Sequence, residues 1–148
     1  MKKIAVIYWS YSGNVEVLAD NIAKGAKEAG AEVLIKHVDY AKVEDVLEAD
    51  VVAFGSPSMD NNRVEQEEMA PFIHEFKLLP VNKKPVVLFG SYGWDNGEFL
   101  NSWEAQMKDY DFNVIEKFAV KEAPSEEQIQ KAVEIGKRMA ESKEFAAF

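Results

Sequence analysis

The sequence predicts an α/β fold, a parallel sheet covered by helices on both faces, from three observations. Apolar runs without polar alternation occur at residues 3–9, 49–55 and 85–90, as expected for parallel strands buried on both sides. Between the strands, apolar residues recur every three or four positions, the period of a helix. Five strands and their helices alternate along the chain, and no connection is long enough to hold a second domain. One domain therefore spans residues 1–148.

The elements follow in order. Residues 3–9 (KIAVIYW) are β-branched and aromatic and form the first strand. Val15, Leu18, Ala19, Ile22, Ala23 and Ala26 line one face of the first helix, and Gly30 supplies a left-handed stop. Residues 32–38 alternate in part, as near a sheet edge, and a short helix is predicted at residues 43–47. The third strand, 49–55, ends in the loop 56–62. Residues 63–79 carry a helical pattern, with Pro71 marking the first turn of the helix proper. The fourth strand, 85–90, opens into the loop 91–97. In the helix 98–108 the fourfold spacing of Phe99, Trp103 and Met107 reads as core packing. The last strand lies within 113–120, and Ser125 is the expected N-cap of a terminal helix reaching about residue 142.

Composition narrows the chemistry. The 148 residues include no cysteine, which removes disulfides, iron–sulfur clusters and thiolate catalysis. The two histidines, His37 and His74, share no local motif, so no metal site is expected. A formal charge of −9 opposes nucleic-acid binding, whose phosphates would be repelled. No apolar run approaches the roughly 18 residues that span a bilayer, and the N-terminus passes directly into a strand. A cytoplasmic, monomeric protein without a membrane segment is the expectation.

The stretch with most chemical content is Ser10-Tyr11-Ser12-Gly13-Asn14-Val15, between the first strand and its helix. Such a turn points free backbone N–H groups at one spot, with the helix dipole behind them, and suits an anion such as phosphate. The same residue types also serve as ordinary caps and turns. The loop is neither a G-x-G-x-x-G nor a Walker sequence and holds no Lys or Arg, so a phosphate would be held by dipoles and hydroxyls. In an open parallel sheet, ligands sit beyond the carboxyl ends of the strands. The loops after strands one, three and four leave from that end and carry the anion turn, Met59, and Tyr92 with Trp94. That set suits a flat apolar ring joined to a phosphate.

These residues resemble the short-chain flavodoxins of anaerobic bacteria over essentially the whole chain. The resemblance lies in Ile7-Tyr8-Trp9-Ser10 with Gly13-Asn14, in Gly55-Ser56-Pro57-Ser58-Met59, in Ala70-Pro71-Phe72 and in Phe89-Gly90-Ser91-Tyr92-Gly93-Trp94. It implies a flavodoxin-like doubly wound three-layer sandwich with a five-stranded parallel sheet in the order 2-1-3-4-5. It also implies flavin mononucleotide (FMN) as cofactor, its phosphate on Ser10, Tyr11, Ser12, Gly13, Asn14 and Val15. The ring would lie between Met59, with Pro57 and Ser58 beside it, and Trp94. Backbone groups of Ser91, Tyr92, Gly93, Trp94 and Asp95 would meet its pyrimidine edge.

Two departures stand out against the family pattern. Tyr11 and Val15 replace small or hydroxyl residues of the phosphate loop, so Val15 offers an N–H without a hydroxyl and weaker FMN binding is expected. Asp60-Asn61-Asn62 follows Met59 where relatives have a glycine and a carboxylate. Positive φ is expected at Asn61, strain at Asp60 and a flavin N3–H contact at Asn62.

The implied function is a low-potential one-electron carrier rather than an enzyme. Its partners would be redox proteins with basic docking faces, such as reductases, oxoacid oxidoreductases and hydrogenase-type enzymes. Glu65, Glu67, Glu68, Asp95 and Glu98 are candidates for an acidic docking rim, or else simply favour helix starts. The alternative is a flavin reductase or an activator of another enzyme's metal site. A phospho-receiver domain is disfavoured, because the places for its acids hold Tyr8-Trp9-Ser10 and Phe54-Gly55-Ser56.

Overall fold

The three apolar runs become β1 (Lys3–Tyr8), β3 (Val51–Pro57) and β4 (Pro85–Tyr92), with β2 (Glu32–His37) and β5 (Asn113–Lys121) at the edges. All four pairings are parallel and the order is β2-β1-β3-β4-β5, as the resemblance implies. The computed structural model describes residues 1–59 and 62–141.

Successive strand residues face opposite sides, so one sheet feeds two cores. Ile4, Val6, Ala53 and Phe89 pack against α1 (Asn14–Glu28) and α5 (Glu126–Glu141). Ala5, Ile7, Phe54 and Leu88 pack in the other layer with residues of α2 (Val43–Leu47), α3 (Met69–His74) and α4 (Phe99–Asp109). The two helices of the first layer touch through backbone. A Cβ on Gly25 would be driven into the Val133 carbonyl, and one on Gly136 into that of Ile22.

Several local expectations hold. Gly30 is left-handed at φ 91°, and Ser125 Oγ accepts the Gln128 N–H at 3.2 Å while Gln128 Oε1 accepts the Ser125 N–H at 2.9 Å, a reciprocal cap. The segment before Pro71 differs. Residues 63–68 are not helical; the six-residue α3 begins at Met69 and continues into a 3₁₀ turn, Glu75–Leu78. The reason is a carboxylate: Glu65 is buried (3% exposed) and accepts the N–H groups of Glu67, Glu68 and Met69 at 2.7–2.8 Å. It thus serves as the cap of α3 from outside the helix. β4 also runs further than expected, so Ser91 and Tyr92 are strand residues, paired with Val120 and Lys121 of β5.

Candidate functional site

β1 ends beside β3, where the Trp9 N–H donates to the Gly55 carbonyl at 3.0 Å. The chain then folds back on itself: Ser10 Oγ accepts the N–H of Gly13 at 3.2 Å and of Glu16 at 3.3 Å. This requires Gly13 to be left-handed, at φ 96°, where a side chain would be strained. α1 starts at Asn14; its N-cap, Gly13, has no side chain to cap it, and Ser10 Oγ takes the Glu16 N–H instead, so a hydroxyl oxygen stands where the first-turn donors converge. Val15 turns its side chain into the core beneath.

Trp9, Ser10, Tyr11, Ser12 and Val15 share a cavity of about 380 Å³ with Pro57 and Met59. The first and second loops therefore meet as the sequence suggests. Met59 is 41% exposed, its N–H bonded to the Arg63 carbonyl at 2.7 Å and its carbonyl to the Asn62 N–H at 3.0 Å. Positive φ falls on Asn62, at 55°. Asp60 and Asn61, for which strain and positive φ were expected, lie outside the described residues.

The third loop does not line this cavity, yet it is tied to the second. Ser58 donates its N–H to the Ser91 carbonyl at 2.8 Å and its hydroxyl to Asp95 Oδ2 at 3.0 Å. Asp95 also accepts the N–H groups of Gly97 and Phe99, which caps α4. Beyond this clasp Trp94 is 96% exposed, while Tyr92 packs against the core and Gly93 is half-buried.

Two members of the expected acidic rim are thereby corrected. Glu65 and Asp95 (7% exposed) are turned inward, their oxygens taken by N–H groups at and before the helix starts and, for Asp95, by the Ser58 hydroxyl. A buried carboxylate that accepts several N–H groups is stable where it lies and cannot meet a partner. Glu67 and Glu98 are exposed.

The sequence pattern gives no site role to Tyr8, Trp9, Glu16 or His37, which the structure brings here beside Tyr11 and Glu68. Trp9 stacks on Tyr11, with ring centroids 6.4 Å apart and planes 11° from parallel, and donates its indole N–H to Glu68 Oε1 at 2.9 Å. A hydrogen bond to Asp39, above all, raises the Glu68 carboxyl above its ordinary range, for two carboxyls this close favour sharing a proton. Tyr8, buried, donates to Glu16 Oε2 at 3.0 Å; burial first, then that bond, pushes its hydroxyl up to about 12. His37 Nε2 lies 3.2 Å from the Ser10 N–H. The topology holds the signal for His37: once β2 lies parallel beside β1, His37 is opposite Tyr8, two residues before Ser10.

The donor set suits a phosphate. The cavity is lined by hydroxyls, the edge of an N–H-rich turn, aromatic rings and a thioether, and no carboxylate is among its lining residues. No helix among the described residues is long and apolar enough to cross a membrane.

Known proteins share this sequence pattern and fold. The flavodoxin family model matches residues 6–136. The chain is 34% identical to a flavodoxin of Clostridium beijerinckii over 91% of its own length and 97% of that protein's. It is 37% identical to the flavodoxin of Megasphaera elsdenii, covering 82% of this chain and 88% of that one. The solution structure of two-electron reduced M. elsdenii flavodoxin superposes with a TM-score of 0.82 at 32% identity, covering 94% and 99% of the two chains. With the sheet order, the family match and the relatives in agreement, the chain belongs to the flavodoxin family.

Proposed function

We propose that this protein is a low-potential, one-electron carrier that holds FMN non-covalently and passes electrons between larger redox proteins. Family membership supports a flavin-based carrier. The observation that carries the finer reading is the shared cavity of the α1 turn and Met59, with Trp94 exposed from the neighbouring loop.

In this reading Ser10, Ser12, Asn14 and the N–H groups of Gly13 and Val15 hold the phosphate. Met59 and Trp94 grip the ring, and backbone groups from Ser91 to Asp95 meet its polar edge. FMN supplies the one-electron chemistry when bound. The chain's own part is to bind and orient. Trp9, fixed by Glu68, walls the cavity next to the phosphate turn, and the Ser58 clasp holds the two ring-contacting loops at one spacing. No side chain acts as acid, base or nucleophile, and the exposed Glu67 and Glu98 give partners with basic docking faces a surface to approach. Reductases, oxoacid oxidoreductases and hydrogenase-type enzymes have the required chemistry.

The absorption spectrum of the purified protein tests this. A yellow 1:1 FMN complex that dithionite reduces in two separate one-electron steps, the second at low potential, is the expected result. A colourless protein that takes up no added FMN would remove the reading.

A further inference from the structure

Two contacts set the roles of the His37 ring nitrogens. The Ser10 N–H can only donate, so Nε2, 3.2 Å away, must present its lone pair. The ring proton therefore sits on Nδ1, 3.0 Å from Asp39 Oδ1, and is donated to that carboxylate. The Asp39 N–H, 3.4 Å from the same Nδ1, cannot donate to a nitrogen that already carries a proton; the shorter, charge-assisted contact prevails.

A proton added to His37 has only Nε2 to occupy. There it faces the Ser10 N–H, two donors head to head, and the bond between them is lost. Ser10 then has its N–H free at the first residue of the anion turn, and a cation stands beside a loop that contains no Lys or Arg. We infer that His37 is a positioning residue of the phosphate site, releasing Ser10 and adding charge to the turn when protonated, and so sets preference for a phosphorylated flavin. The inference rests on the FMN reading above.

The charged surroundings are compatible with this. Asp39 holds the far side of the ring, and Glu68 is hydrogen-bonded to Asp39. Tyr8 meets the ring edge-on at 5.4 Å and is bonded to Glu16. Glu65 lies behind Glu68 with its oxygens occupied by N–H groups, and the neighbouring Lys36 is paired with Asp45 at 3.0 Å. Acids thus outnumber bases around an imidazole, the side chain that ordinarily changes charge in the physiological pH range. By linkage, an anion that binds the protonated form better must draw a proton onto the site as it binds.

The test compares FMN with riboflavin, which lacks the phosphate, in the wild type and in His37→Gln. Between about pH 8 and 5.5 the wild type should gain about tenfold in its FMN-to-riboflavin affinity ratio relative to His37→Gln. The second ionisation of the phosphate, near pH 6, is common to both proteins and cancels. Calorimetry of FMN binding to the wild type near pH 7, in two buffers of different ionisation heat, should show net proton uptake, which needs no variant to fold. FMN binding with parallel pH profiles and no proton uptake overturns the role of His37 while the flavin reading stands. Failure to bind either flavin overturns both.

Discussion

Glu68 shows how one carboxyl is caught between two roles. It accepts the indole N–H of Trp9, which favours its charged form, and it shares a hydrogen bond with Asp39, which favours its protonated form. The second wins, so the folded protein holds this proton more tightly than the unfolded chain does. The folded state is favoured where the proton is present, and that gain is lost as pH rises through the raised value. Glu68→Gln keeps an acceptor for Trp9 and offers Asp39 a donor. Its melting temperature at pH 7 should exceed that of the parent, and the difference should close at pH 4. Calorimetry at the two pH values measures this, and a lower melting temperature at pH 7 would contradict it. Glu104 behaves oppositely: the Lys117 ammonium holds its carboxyl below the usual range, a contribution present at neutral pH and lost in acid.

Gly25 sits near the end of α1, where intrinsic helix propensity would favour alanine by roughly 1 kcal/mol. Close approach to the Val133 carbonyl of α5 argues the other way, since a Cβ has no room there. Forcing atoms into a packed contact costs about 1–3 kcal/mol, so Gly25→Ala should destabilise the protein in denaturant titration despite the better helix former. No sequence pattern reveals such a contact, because it joins residues about a hundred apart. What the sequence did carry was local. Continuous apolar runs place β1, β3 and β4, threefold and fourfold spacing places α1 and α4, the Ser125 cap places the start of α5, and the loop residues draw attention to the carboxyl end of the sheet. Residues 63–68 carry a helical pattern yet are not helical, because Glu65 folds inward to cap a helix that starts at Met69, with Pro71 in its first turn as expected. Asp95 is hidden in the same way: besides the Ser58 hydroxyl its partners are N–H groups, which every residue except proline supplies and no residue code advertises.

With a net charge of −9, the whole molecule repels the dianionic group that its first turn is proposed to hold. Local dipoles act within a few ångströms, while the general repulsion reaches about 10 Å at 0.1 M salt. Added salt screens the second more than the first. Raising sodium chloride from about 20 mM to about 0.5 M should therefore tighten FMN binding, opposite to the trend at a cationic phosphate site. Fluorescence titration at each salt concentration decides it, and weaker binding at high salt would place the dominant attraction in fixed positive charge.

The seam between α1 and α5 also orders events as the polypeptide is made. α1 leaves the ribosome early, but the helix that shelters Ile22 and Ala26 is translated only after β5. Until then that greasy stripe has no lid, and a growing chain stalled before Glu126 presents it to chaperones, proteases and other nascent chains.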